Sequence, residues 1–303
     1  MHIVWLGEPA CETLSLVGGK AANLSRLAAL HRVPPGFCVT TEAYENGIAN
    51  PKGFQNLSGF IKSAYHALAQ RTGFAEPSVA VRSSAVDEDG SVASFAGQHE
   101  TYLNIVGAEA VVAHVARCWE SAHLERALEY RKQQGISLEH IRLAVLVQQL
   151  VPADVAGVVF SANPLTSDRN EVFINASWGL GESIVGGTVT PDTFIVHKGT
   201  NHQDLSGTLR ENLTGLVRPY VLSYDIADKQ HMTVSIPGGT HEVEVPRFLR
   251  TQPTLDDEQA IEMAQLAVSL ETTMGWPVDI ECAWHDGKLY LLQCRPITTL
   301  SSP

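Results

Sequence analysis

The sequence lacks any CxxC pair and any zinc-type spacing of cysteines. Its five cysteines, Cys11, Cys38, Cys118, Cys282 and Cys294, are scattered. An odd count without a signal peptide predicts reduced thiols and a cytoplasmic setting. The opening MHIVWLGEPA has no basic segment followed by a long apolar run. No stretch elsewhere approaches the length of a membrane span, so no membrane contact is expected. Runs of basic residues are also missing and the formal net charge is −12, which argues against nucleic acid. No GxSxG, HExxH, EF-hand loop or GxxxxGK[ST] phosphate loop occurs, and no internal repeat. The 303 residues, 44% hydrophobic and 18% charged, suit a soluble globular protein with two lobes.

Several stretches carry structural signals. Residues 3–6 read as a short strand. Gly18 and Gly19 form a turn opening a helix whose apolar positions include Ala21, Leu24 and Leu27. Lys20 therefore stands either as a solvated turn lysine or where free N–H groups and a cation meet a phosphate. A helix start is predicted near Thr40-Thr41, a loop at residues 50–53, and a helix over 54–72. Val79 to Val81 suggest a buried strand ending at Arg82. A loop rich in Ser, Gly and Asp, about residues 83–100, follows; its backbone amides suit covering phosphates. Thr101 to Ile105 resume a strand. Residues 108–134 read as one long helix.

Two apolar runs flank Gln148-Gln149 and Pro152, as for a strand leaving one lobe and entering another. Such a hinge offers backbone groups and apolar walls, from Val147 and Leu150, to an adenine ring. Residues 171–196 read as strand, Gly-rich loop and strand, with Trp178, Gly179, Gly181, Glu182, Gly186 and Gly187 able to line a site. Residues 197–250 read as irregular strands and loops. A helix is expected to start at Thr254 and to stop at Gly275.

The stretch Asp279 to Pro296 reads as two strands around an Asp286-Gly287 turn. Asp279 and Glu281 share one face, and Gln293 and Arg295 share one face. A two-residue loop would put Glu281 opposite Leu292. A three-residue loop, His285 to Gly287, would bring Glu281 and Gln293 to the same face, and the three-residue form is the expectation. A carboxylate, an amide oxygen and a guanidinium together suit a hard cation and phosphate.

In order along the chain, LVGGKAANLSRL, VPPGFCVTTEAY, VAVRSSAVDED with SFAGQHETYLNI, LVQQLVPADVAGVVFSANP, INASWGLGESIVGG and DIECAWHDGKLYLLQCRPIT resemble one family. It is the nucleotide-binding domain shared by phosphoenolpyruvate synthase, pyruvate phosphate dikinase and rifampicin phosphotransferase, and the resemblance covers residues 14–299. It implies an α+β, two-lobed ATP-grasp fold with mixed or antiparallel sheets and ATP in the cleft. The lobes would be residues 1–150 and 151–303, the second carrying the hairpin 279–296. It also implies roles. Lys20, Arg82 and Arg295 would meet phosphate, Gly97 and Thr101 would touch the nucleotide, and Gln148 would sit beside the adenine. Glu281 and Gln293 would hold Mg²⁺ and nucleotide, with Lys20, Arg82, Glu281 and Arg295 as the catalytic set.

The implied chemistry splits ATP to AMP and passes the β-phosphoryl to a histidine on a separate domain. The phosphohistidine motif of the family is absent here; Gly238-Gly239-Thr240-His241 is a poor echo, and His241 reads as a loop residue. The implied partner is a phosphohistidine-domain protein in trans, or further domains of a longer chain. Two other readings stay open: a ligase or kinase of the same fold acting on a small molecule, and an ATP-binding module without turnover.

Overall fold

The computed structural model describes residues 1–49, 51–86, 100–133, 135, 141–199 and 218–300. Five strands form a first sheet: β1 (Ile3–Trp5), β2 (Gly36–Val39), β3 (Val79–Ala85), β4 (Thr101–Ile105) and β5 (Leu143–Gln149). Their order is β1-β2-β5-β3-β4, and every pairing is antiparallel. The central β5 is buried on both faces, which is why its sequence LAVLV is a continuous apolar run rather than an alternating one.

A second sheet begins with β6 (Val155–Phe160), β7 (Glu171–Trp178), β8 (Asp192–His197) and β9 (Tyr220–Asp225). β10 (His231–Ile236) and β11 (Gly239–Glu244) then form a separate hairpin, and β12 (Val278–His285) and β13 (Lys288–Pro296) complete the second sheet. Its order is β13-β12-β6-β7-β8-β9, again antiparallel throughout. With seven helices among the described residues the class is α+β, and the sheets are antiparallel rather than mixed. No helix among them is long and apolar enough to cross a membrane.

Helix α1 (Leu14–Leu27) lies between the sheets, its Val17, Ala21, Leu24 and Leu27 buried in one core with residues of β5, β6, β7 and β12. Helices α2 (Thr41–Ala49), α3 (Pro51–Thr72) and α4 (Ala108–Ser121) close a second core over the other face of the first sheet. The continuous helix expected over 108–134 is interrupted: α4 stops at Ser121 and α5 (Glu125–Gln133) starts after a turn. Of the loop expected at 50–53, residue 50 lies outside the described residues and 51–53 are the first turn of α3, where Pro51 fits because an opening residue needs no amide proton.

A four-residue helix, α6 (Glu182–Val185), sits in the Gly-rich segment after β7. Helix α7 (Asp257–Met274) begins at Asp256, not Thr254. Asp256 accepts from the Gln259 amide at 2.8 Å and Gln259 returns the bond, a capping box. Gly275 ends the helix at φ 78°, as expected. His241 lies on β11 rather than in a loop.

Thr254 has a different task. Asp192 and Lys229 form a fully buried ion pair at 2.6 Å. Asp192 Oδ1 also accepts from the Ala227 amide, while Oδ2 accepts from the amide and hydroxyl of Thr254 at 2.8 and 2.9 Å. Four bonds to one carboxylate satisfy a charge that burial alone would penalise. Lys229→Met should therefore lower unfolding free energy by about 3–5 kcal/mol, because it strands the Asp192 charge. Urea denaturation measures this, and a loss below about 1 kcal/mol would refute the account.

Candidate functional site

The cleft is built where α1, β3 and the β12–β13 hairpin converge. Gly18 breaks α1 at φ 73°. A Cβ there would lie 2.2 Å from the Ser84 carbonyl oxygen, so only glycine fits. The buried Ser84 hydroxyl fills the break, donating to the Val17 carbonyl at 2.7 Å and accepting from the Ala21 amide at 3.3 Å. This contact sets Lys20 beside β3, where its Nζ donates to the Ser83 carbonyl at 3.3 Å. Further along α1, Asn23 donates to the Cys294 carbonyl of β13 at 3.1 Å.

The hairpin reaches the expected arrangement by an unexpected route. His285 pairs with Lys288, so the loop is the two-residue Asp286-Gly287, and the three-residue expectation is wrong. Both loop residues have positive φ, 51° and 64°, the type I′ pattern that matches strand twist. Parity is restored by a β-bulge: Glu281 pairs with Gln293 while Cys282 pairs with Leu291, leaving Leu292 as the extra residue. Glu281 and Gln293 thus stand opposite each other, as the sequence reading required.

A cavity of about 280 Å³ opens here, lined by Lys20, Arg82, Thr101, Glu281, Gln293 and Arg295. Six of the eight sequence-predicted site residues are brought together. Gly97 lies outside the described residues. Gln148 does not line this cavity: it is 2% exposed and its side-chain amide donates to the Pro34 carbonyl at 3.1 Å. Leu150 lines the cleft as expected, but Val147 is buried in the second core and its place is taken by Val151. In the Gly-rich segment Gly181, Glu182 and Gly186 line the cleft, whereas Trp178 and Gly179 do not. Sequence reasoning missed the apolar floor of Gly157 and Val158 from β6 and Ala283 from β12. Strand period places such residues on a face but does not say which face borders a cleft.

The two arginines differ. Arg295 Nε is held by Asp279 Oδ2 at 2.8 Å, its cross-strand neighbour. Arg82 Nη1 donates to the Leu292 carbonyl of the bulge at 3.3 Å and lies 3.7 Å from Glu281 Oε2. Its Nε is buried without a hydrogen-bond partner among the described residues. A guanidinium lining a cleft fits an anion. Glu281 and Gln293 supply one carboxylate and one amide oxygen. That set fits an Mg²⁺ that keeps waters and shares phosphate oxygens, not a cation caged by protein alone. No group of three or more metal-type ligands occurs among the described residues.

The chain matches the family described as pyruvate phosphate dikinase, AMP/ATP-binding domain, over residues 54–303. It is 37% identical to a probable phosphoenolpyruvate synthase of Pyrococcus abyssi, covering 98% of this chain and 44% of that protein. A probable phosphoenolpyruvate synthase of Methanocaldococcus jannaschii is 38% identical over 98% of this chain and 27% of its own length. Rifampicin phosphotransferase of Streptomyces sviceus is 35% identical over 99% of this chain and 36% of its own length. The chain thus spans less than half the length of these relatives. Fold, cleft and similarity define a nucleotide-binding domain. The chain belongs to the family of pyruvate phosphate dikinase AMP/ATP-binding domains.

Asp279 is 7% exposed, and burial raises its carboxyl above the usual 3.8. Arg295 opposes the rise without cancelling it, and Glu281 adds to it. A folded-state value above the unfolded one means the native state binds the proton more tightly. The resulting stability is full below about pH 3.8 and declines as pH rises through the raised value. Asp279→Asn should remove this decline, so above about pH 3.8 its unfolding free energy should lose less than that of wild type as pH rises. Urea denaturation across that range checks it, and identical slopes would refute the assignment.

Proposed function

We propose that this chain is the ATP-binding component of a dikinase-type phosphotransferase with an ATP-grasp fold. Residues 1–150 and 151–303 are its two lobes, and ATP occupies the cleft between the two sheets. The observation that carries the reading is the convergence of Lys20, Arg82 and Arg295 in one cavity with Glu281 and Gln293, which pair across the hairpin, Glu281 Oε2 lying 3.7 Å from Arg82 Nη1. Lys20, Arg82 and Arg295 meet the phosphates, Thr101 and Gly97 contact the nucleotide, and Leu150 and Val151 flank the adenine. Glu281 and Gln293 hold Mg²⁺, which neutralises phosphate charge when bound.

The reaction splits ATP to AMP. The β-phosphoryl passes to a histidine on a separate protein or domain, and the γ-phosphate goes to water or inorganic phosphate. The final acceptor is pyruvate or a small-molecule hydroxyl. Protein groups here contribute position and fixed positive charge rather than a covalent bond. Relatives named phosphoenolpyruvate synthase and rifampicin phosphotransferase support this chemistry, and five buried cysteines support a reducing, cytoplasmic setting.

Product analysis tests the reading. With ATP, Mg²⁺ and a histidine-domain protein from a relative, AMP should appear, and Glu281→Ala should abolish it. ADP formed with a small-molecule acceptor would sink the dikinase assignment. Calorimetric titration tests the residues. Arg82→Met should weaken ATP binding roughly 10- to 100-fold through the lost charge-assisted bonds. Gln148→Met should leave it within about twofold, since that amide is taken by the Pro34 carbonyl and does not line the cavity.

A further inference from the structure

The β10–β11 hairpin has no place in the chemistry above, yet it touches both walls of the cleft. On the side of the first sheet it meets β4 at a second β-bulge. Val79 pairs with Ile105 and Val81 with Tyr102, so Leu103 and Asn104 together face Ala80. Leu103 lines the cleft. Asn104, at φ 58°, sends its amide to the hairpin tip, donating to the Ile236 carbonyl at 2.5 Å and the Gly239 carbonyl at 2.8 Å. The Ser78 hydroxyl donates to Asn104 Oδ1 at 2.6 Å and so fixes which way the amide points.

On the opposite side the hairpin holds the Gly-rich wall. The Leu180 amide donates to the Thr233 carbonyl at 2.9 Å. Gly179 packs so closely there that a Cβ would stand 2.4 Å from the same oxygen. Thr240 Oγ1 donates to Glu182 Oε2 at 2.9 Å, and Leu180 and Glu182 both line the cleft. Only Thr233 of the hairpin's strands is buried, and Ile236 at the tip is 41% exposed. A few directed hydrogen bonds, rather than an apolar core, therefore keep the hairpin in place, the condition for local release without unfolding.

We propose that this hairpin is a strap that ties the two walls of the cleft together. Asn104 is its fastener on the first sheet, and Thr240 is a positioning residue for Glu182. Release at Asn104 frees the Gly-rich wall and lets a nucleoside triphosphate enter or leave. The traffic of nucleotide rests on the ATP-cleft reading; the mechanical tie does not.

Two measurements on the whole chain separate these. Amide hydrogen exchange without nucleotide tests the tie. Asn104→Gly keeps the positive φ while removing the amide, and it should speed exchange of residues 231–244 and 179–186 together. Unchanged protection at 179–186 would overturn the strap. Stopped-flow with a fluorescent ATP analogue and Mg²⁺ tests the gate. Asn104→Gly should raise the dissociation rate about tenfold through two lost hydrogen bonds. Thr240→Val should raise it roughly threefold and Thr240→Ser should restore the wild-type rate. An unchanged rate in Asn104→Gly would overturn the gate. Failure of the wild-type chain to bind the analogue would count against the ATP cleft and hence the gate, leaving the exchange result to decide the tie.

Discussion

One hydroxyl holds the site together. Ser84 stands in the gap that Gly18 opens in α1 and bonds to both sides of it. Without a break, α1 would present a closed backbone to β3 and could not come so near. With it, helix and strand approach until a single methyl group at Gly18 would collide with the Ser84 backbone. That closeness places Lys20 against the strand that carries Arg82, two residues from Ser84. Asn23 then fastens the same helix to β13, which carries Gln293 and Arg295. Three distant parts of the sequence meet because one helix bonds to both of its neighbours through buried polar side chains.

The second constraint is the Leu292 bulge. An unbulged hairpin with this two-residue loop would pair Glu281 with Leu292 and turn Gln293 away. The extra residue reverses the parity, and its carbonyl becomes an acceptor for Arg82. The irregularity therefore puts a carboxylate and an amide face to face and ties the first sheet to the second. A similar irregularity in β4 turns Asn104 out of the strand. Both bulges lie beside the cleft, where regular ladders would have aimed the side chains elsewhere.

What was legible followed from period and punctuation. Strands β4, β5 and β6 and the stop of α7 at Gly275 have plain signals, and the ordered motifs pointed to Lys20, Arg82, Glu281, Gln293 and Arg295; β3, expected to end at Arg82, runs on through Ser83 and Ser84 to Ala85. What was illegible depended on contacts. Leu292-Gln293 looks like any strand dipeptide, so parity was ascribed to the loop rather than to a bulge. The break between α4 and α5 carries no Gly or Pro. Thr254 looked like a helix cap because its bond to Asp192 joins residues 62 apart in sequence. Gln148 sits near the end of β5, and the Pro34 carbonyl takes its side-chain amide, a contact between residues 114 apart in sequence.

The chain's charge of −12 opposes a polyphosphate ligand at long range, so the proposed cleft has to be taken residue by residue. Arg295 is braced by Asp279 on the adjacent strand, so it offers a charge fixed in direction. Arg82 is braced through Nη1, with Glu281 at the edge of ion-pair distance, and its Nε has no hydrogen-bond partner among the described residues. A cation arriving at Glu281 would weaken that carboxylate's pull on Arg82 just as phosphate arrives to replace it. Long-range attraction is thus unnecessary: screening erases it beyond about 8 Å at physiological salt. On the proposed reading the balance is local: Lys20, Arg82 and Arg295 line one cavity, so a phosphate entering it would meet three cations whatever the sign of the chain as a whole.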